Sequence, residues 1–260
     1  MLLAAGRGER MRPLSDHTPK PLLPVQGKPL MQWHLEALAR GGVKRVVINT
    51  AWLGQQMVAR FGHIFVLQPP SDKRQQLSKH EQFEISYSHE GRDFGGALET
   101  AGGITRALPL LCPAQSAGSR LDLFWVLAAD VFAPDFVFGQ TAVQRFIASD
   151  QLAHLWLVPN PAHHPRGDFG LDLDSGLALN LPPDDPRPRY TYSTIGLYRK
   201  GLFAPPWCDI VPGNPQGIKA PLAPLLRAAI DNRLVSAELY EGAWTDVGTP
   251  ARLEQLNAPI

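Results

Sequence analysis

Four places in the chain carry residue types suited to handling phosphate. The first is Leu3-Ala4-Ala5-Gly6-Arg7-Gly8-Glu9-Arg10-Met11-Arg12-Pro13, with two glycines and three arginines behind a short apolar start. Glycine lets backbone N–H groups approach phosphate oxygens, and arginine neutralises their charge with a planar fork of donors. By itself the stretch also reads as an ordinary βα turn with solvated charges. A dinucleotide fingerprint is excluded, because Met11 stands where its third glycine belongs. A Walker loop is excluded too, since Gly27-Lys28 is followed by Pro29 rather than Ser or Thr. The second place is Thr18-Pro19-Lys20-Pro21, where two prolines hold a lysine on a stiff, extended mount. Taken singly, Lys20 reads more readily as a surface lysine in a Pro-rich turn. The third is Asp130, directly behind the apolar run Leu123–Ala129. Ligands of open α/β sheets bind outside the carboxyl ends of strands, where an Asp can share a Mg²⁺ with substrate phosphates. The fourth is Trp244-Thr245-Asp246-Val247-Gly248-Thr249-Pro250. Asp246 competes there between metal binding and capping a helix that starts near Pro250, although Thr249 is the better-placed N-cap.

These residues need strands and loops to present them. Pro29–Arg40 puts Leu30, Trp33, His34, Ala37 and Leu38 on one helical face, and Gly41-Gly42 stops it. Lys44–Asn49 reads as a strand, Trp52–Phe61 as a helix, and Phe83–Ser88 as a strand by its period-two alternation. Leu98–Leu108 reads as a helix with Gly102-Gly103 inside it. Glycine costs a helix about 1 kcal/mol against alanine, so a close backbone approach is expected there. Leu123–Ala129 is a buried central strand, Ala133–Ala148 an amphipathic helix and Leu152–Val158 another strand. Thr191–Tyr198 reads as a strand, Ala220–Ile230 as a helix, and Val235–Thr245 as a strand, a turn and a strand entry. Gln68–His80 is polar and charged, as an exposed loop would be. Strands alternating with helices predict an α/β fold with a mostly parallel, mixed sheet covered on both faces.

Composition narrows the function. The chain has 260 residues with 25 Lys+Arg against 24 Asp+Glu, a net charge of +1, which leaves no large basic footprint for nucleic acid. Two cysteines, Cys112 and Cys208, exclude a disulfide framework and a Cys-based zinc ribbon. No apolar run reaches the roughly 20 residues needed to span a bilayer, so no membrane role is expected. The start of the chain lacks a secretory signal pattern, and the expectation is a cytoplasmic protein. His163-His164 could hint at metal binding, but adjacent side chains in an extended segment point apart, which favours a loop role.

The glycine loop with Arg10, the Thr18–Pro21 segment, Asp130 after a strand and Trp244–Thr249 occur in this order in the sugar-1-phosphate nucleotidyltransferases, which the chain resembles over almost its whole length. That resemblance implies a Rossmann-like core with a smaller inserted sugar-binding part, within one domain. Residues 1–130 would be mainly nucleotide-binding; residues 150–246 would be mainly sugar-binding and carry the second metal Asp. It implies attack by a sugar 1-phosphate on the α-phosphorus of a nucleoside triphosphate, with loss of pyrophosphate. Arg10 and the loop around Ala5, Gly6 and Gly8 would hold the triphosphate. Lys20 would bridge the α-phosphate and the sugar phosphate, and Asp130 and Asp246 would hold the catalytic Mg²⁺. Leu98–Gly103, with Glu99 and Gly102, would meet the base and sugar.

Within the family, Ala51–Gln56, Asn160–Phe169 and Leu98–Gly103 resemble the branch that couples UTP to N-acetylmuramate α-1-phosphate in bacterial cell-wall recycling. Arg166 and Asp168 fall in the matching loop as substrate-binding candidates. The alternative branch joins GTP to mannose 1-phosphate. A non-catalytic relative that only binds nucleotide sugar should have lost Arg10, Lys20 or a metal Asp, and all are present. Ala129 stands where the family usually has glycine, so its methyl group is expected close to the phosphates.

Overall fold

The computed structural model describes residues 1–67, 82–113 and 122–259, so the stretch expected as an exposed loop at 68–80 lies outside the described residues. In chain order the elements are β1 (Leu2–Leu3), β2 (Pro24–Val25), β3 (Lys28–Pro29), α1 (Leu30–Arg40), β4 (Arg45–Thr50), α2 (Gly54–Phe61), β5 (Ile64–Val66), β6 (Gln82–His89) and α3 (Glu90–Phe94). There follow α4 (Glu99–Leu111), β7 (Leu123–Ala128), β8 (Val131–Phe132), α5 (Gln140–Ile147), β9 (Ala153–Val158), β10 (Phe169–Asp172) and β11 (Leu177–Leu179). The chain ends with β12 (Arg189–Arg199), α6 (Ala223–Asp231), β13 (Val235–Leu239), β14 (Thr245–Asp246) and α7 (Pro250–Asn257). Two compact units share them: an N-terminal unit of residues 2–97, 129–140 and 243–260, and a central unit of Met1 with residues 98–128 and 141–242.

In the N-terminal unit β1 and β4 pair in parallel, as do β4 and β6, and β5 adds an antiparallel edge on β6. Strand β4 is buried from Val46 to Thr50, as its continuous apolar centre requires of a strand covered on both faces. Strand β6 buries Phe83, Ile85 and Tyr87 and exposes Gln82, Glu84 and Ser86, the period-two pattern of a strand with one wet face. Helix α1 buries Leu30, Met31, His34, Leu35 and Leu38, and Gly42 beyond its end takes a φ of 77°. Helix α2 starts at Gly54 rather than Trp52 because Leu53 is left-handed, with φ 49°. The segment expected to begin a helix at Ala133 is not helical until Gln140. Phe136 and Phe138 give it an apolar spacing, but they pack on each other with ring centroids 4.8 Å apart. Pro134 and Gly139 flank them, and the Phe138 carbonyl lies against Gly41.

The central unit is a mixed sheet in the order β7-β12-β9-β13-β11-β10, with β10 also paired to β12. Here β12 runs antiparallel to both β7 and β9, whereas β13 runs parallel to β9. The parallel pairing expected from strand–helix alternation is thus strongest in the N-terminal unit, and the antiparallel pairs of the central unit make the fold mixed. The glycines of α4 do meet a close neighbour. A Cβ on Gly102 would stand 2.5 Å from the Ile218 carbonyl oxygen, and Ala101 and Gly102 both donate N–H bonds to the Ala220 carbonyl. No helix among the described residues is long and apolar enough to cross a membrane.

His34 links this scaffold to the residues of interest. It is 1% exposed, and its Nε2 donates to the Val131 carbonyl at 2.7 Å. Burial pushes its pKa from 6.5 down to about 4, against smaller raising effects of that bond and of Asp130. Between these values the unfolded chain binds a proton that the folded one refuses, so stability falls as pH drops from 6.5 towards 4. The loss attributable to this group is roughly 3 kcal/mol. Melting curves at pH 7 and pH 4.5 should differ by less in His34→Gln than in the wild type; an unchanged difference would show that His34 is not the group responsible.

Candidate active site

The glycine loop is braced at both ends. The Ala4 N–H donates to Asn49 Oδ1 at 2.7 Å, and Asn49 Nδ2 donates to the fully buried Glu90 at 2.7 Å. Ala5 is buried, whereas Gly6 is exposed and would place a Cβ in open space. Gly8 is left-handed at φ 68°, and its carbonyl accepts from Met11 N–H at 2.9 Å and Ser15 Oγ at 2.7 Å. Met11 is fully buried in a cluster with Leu23, Val25, Leu30, Phe132, Val247 and Leu253. The residue that breaks the dinucleotide pattern is therefore a hydrophobic plug that pins the loop to the core. Arg10, one position earlier, is exposed and lines the cleft. Trp52 supports the loop from outside: its Nε1 donates to the Ser15 carbonyl at 2.9 Å, and the Arg7 guanidinium lies 3.7 Å from its ring centre.

Lys20 sits in a 3-10 turn over Lys20–Leu22 and is only 6% exposed. A buried ammonium needs a charged partner, and Nζ meets Asp130 Oδ2 at 2.7 Å. Asp130 follows β7 in a turn, its side chain 40% exposed. Ala129 before it is fully buried, donates its N–H to the Leu3 carbonyl at 3.0 Å and does not line the cleft. The crowding expected from its methyl group is absent, because that methyl is core.

Strand pairing brings in the second aspartate. Strands β8 and β14 are antiparallel, with Asp246 opposite Val131, and Val247 N–H donates to the Asp130 carbonyl at 3.0 Å. Asp246 does not cap α7; Thr249 does, its hydroxyl accepting from Arg252 N–H at 3.4 Å. This cap places Arg252 in the first turn. Its Nη1 reaches Asp246 Oδ2 at 2.5 Å and the Asp246 carbonyl at 2.9 Å. Gly248 makes room, since a Cβ there would lie 3.0 Å from both Asp246 carboxylate oxygens. The result is a cleft of about 310 Å³ lined by Gly6, Gly8, Arg10, Lys20, Asp130 and Gly248 among others. Among the described residues no group of three or more His, Cys, Asp or Glu could hold a metal by itself. Asp130 in the turn before β8 and Asp246 on β14 offer two carboxylates, which suits Mg²⁺, since it takes one or two protein carboxylates and completes its shell with water and substrate phosphates.

The remaining candidates belong to the central unit. Glu99 is exposed, with a positive φ of 59° at the start of α4. Gly102 is buried, and its tight packing against Ile218 explains the glycine without a ligand. Asp168 Oδ2 accepts from Tyr192 N–H at 2.8 Å and Oδ1 lies 3.1 Å from His164 Nε2, which ties the loop to β12. That bond also accounts for His164 in a loop. Arg166 is exposed in the same loop, which Asn160 fastens by donating to the Pro165 and Arg189 carbonyls at 3.2 and 2.9 Å. Sequence reasoning missed Arg252, Asn49, Ser15 and the bracing role of Trp52; only the arginine three residues beyond a Thr N-cap could have hinted at the first.

The nucleotidyl transferase family model matches residues 1–171. The chain is 42% identical over 260 residues to N-acetylmuramate alpha-1-phosphate uridylyltransferase of Neisseria meningitidis serogroup B, covering 99% of this chain and 96% of that one. It is 30% identical over 250 residues to the protein of the same name from Caulobacter vibrioides, covering 96% and 91% of the two chains. In fold it is similar to UDP-glucose pyrophosphorylase from Acinetobacter baumanii, with a TM-score of 0.69, 15% identity and coverage of 98% and 90%.

Proposed function

The chain belongs to the nucleotidyl transferase family, and on that footing we propose that it transfers the uridylyl group of UTP to N-acetylmuramate α-1-phosphate, yielding UDP-N-acetylmuramate and pyrophosphate. The observation that carries this reading is the joining of Lys20, Asp130 and Asp246 to the glycine loop and Arg10 in one unit. A phosphate oxygen of the sugar phosphate forms a bond to the α-phosphorus, and the bond to the bridging oxygen of the pyrophosphate breaks. The nucleophile is already anionic, so no strong general base is required. What the protein must do is hold two polyanions in line and offset their repulsion.

Arg10 and the loop amides around Gly6 and Gly8 bind the triphosphate. Lys20 leaves Asp130 for the phosphates that meet at the reacting centre; its flexible stem allows the move. Asp130 and Asp246 would hold Mg²⁺, which would supply Lewis-acid stabilisation of charge on the phosphoryl oxygens. In this reading the N-terminal unit serves nucleotide and metal, and the central unit, with Glu99, Arg166 and Asp168, serves the sugar. Asp168 shapes its loop, and Arg166 pairs with the lactyl carboxylate that distinguishes N-acetylmuramate from N-acetylglucosamine. The sugar phosphate would come from cell-wall recycling.

Turnover of a panel of triphosphates and sugar 1-phosphates, read as pyrophosphate release, tests the assignment. A site that pairs a charged group of its substrate rejects the analogue lacking it, because its own donor is left unpaired. N-acetylmuramate 1-phosphate should therefore exceed N-acetylglucosamine 1-phosphate by well over about tenfold in kcat/KM, and Arg166→Ala should erase most of that preference. Equal use of both sugars, or preference for mannose 1-phosphate with GTP, would overturn the substrate while leaving the reaction class.

A further inference from the structure

Asp130, which lines the cleft, and Asp246, on the strand paired beside it, are already neutralised by cations of the same chain. Lys20 stands 2.7 Å from Asp130, and Arg252 stands 2.5 Å from Asp246. The four charges sum to zero, and Glu9 and Arg10 in the cleft lining add one charge of each sign. Such a cluster has no net attraction for a bare divalent cation, which must also shed strongly held water to enter. The two pairs differ in how they can be undone. Lys20 carries a point charge on a flexible stem and can turn to a phosphate. Arg252 is bound twice to the same residue, through the Asp246 carboxylate and the Asp246 carbonyl at 2.9 Å, and the Thr249 cap fixes the turn that carries it. Its side chain is only 17% exposed, and its guanidinium does not deprotonate.

We infer that Arg252 is a positioning residue that acts through Asp246 to make the cleft refuse the bare cation and accept it only with the triphosphate. The inference rests on the nucleotidyl-transfer reading and adds to it the condition for metal entry. A triphosphate draws Lys20 away from Asp130. The aspartates and Arg252 would then sum to one negative charge, which a divalent cation bound to the triphosphate would offset. Arg252 stays on Asp246 throughout and holds its carboxylate in one orientation. Gly248 is part of the same device, since a side chain there would press on both carboxylate oxygens at 3.0 Å.

The test measures binding of Mn²⁺, in place of Mg²⁺, by the electron paramagnetic resonance signal of the free ion, with the full chain and without turnover. Wild type should bind Mn²⁺ weakly alone and firmly with a non-hydrolysable UTP analogue. Arg252→Gln keeps a donor for the Asp246 carbonyl but removes the charge, and should bind Mn²⁺ alone at least about tenfold more tightly, equivalent to 1.4 kcal/mol. Arg252→Met should agree with it, and Arg252→Lys should stay near wild type. Adding Asp246→Asn to Arg252→Gln should abolish the gain. The inference falls if the neutral variants bind bare Mn²⁺ no better than wild type, if Arg252→Lys gains as much as they do, or if the gain survives Asp246→Asn. Failure of wild type to retain Mn²⁺ even with the analogue would overturn the metal site itself, and with it the inference. A melting curve for each variant shows that the folded protein is being measured.

Discussion

Asp130→Asn and Asp246→Asn are each expected to lower kcat by roughly 100- to 1000-fold, the scale of a lost charge-stabilising contact in the transition state. Asparagine keeps the size of the side chain and one oxygen, so the change isolates charge. At position 130 it removes the partner of Lys20, and at position 246 the partner of Arg252. The first change leaves the Lys20 ammonium, on a side chain only 8% exposed, without the carboxylate it needs, and should cost stability although the Asp130 side chain is 40% exposed. The second leaves Arg252, 17% exposed, with its bond to the Asp246 carbonyl, and should cost less. Pyrophosphate release measured across a Mg²⁺ titration separates the effects: the required metal concentration should rise along with the loss of kcat. Activity that survives both substitutions, or full activity in excess EDTA, would sink the metal assignment.

Lys20→Met should lower kcat/KM by about 100-fold or more, with KM for the sugar phosphate changed much less than kcat. Methionine preserves the apolar stem that packs in this buried position, so the variant should fold. In the proposed mechanism the ammonium leaves Asp130 when the triphosphate binds and then meets the negative charge that builds on the phosphoryl oxygens. That interaction would strengthen from the bound substrates to the transition state, and only such differential binding raises kcat. Arg10→Ala should behave differently, because in the proposed mechanism this exposed arginine of the cleft lining meets the triphosphate as it binds. Its loss should raise KM for UTP as well as lower kcat. Near wild-type kcat/KM in Lys20→Met would rule out the bridging role.

The elements that were legible share a clear local signal. The apolar run of β4, the alternation of β6 and the glycine stop of α1 are patterns within single stretches, and the structure places them within a residue or two of where the sequence puts them. The segment 133–139 shows the limit. Its phenylalanines, Phe136 and Phe138, are two apart rather than three or four, and they pack against each other and near Gly41, with Pro134 and Gly139 bounding a loop. Gly102 shows a related limit. A glycine inside a helix announces close approach, but not whether the neighbour is a ligand or, as here, the backbone at Ile218.

The residue types of the candidate site and their order, from the glycine loop through Lys20 and Asp130 to Asp246, were determined by the sequence by itself, as was the exclusion of nucleotide loops of other kinds. Their assembly was decided by tertiary structure. The β8–β14 pairing that sets Asp246 opposite Val131 is two residues long on each side, and so short a strand leaves no periodic trace in the chain. The same holds for the bond from buried His34 to the Val131 carbonyl and for Met11 as a plug in the core. The two cations on the two aspartates are tertiary choices as well. An ion pair depends on distance in space and on burial, and neither can be read from a separation along the chain.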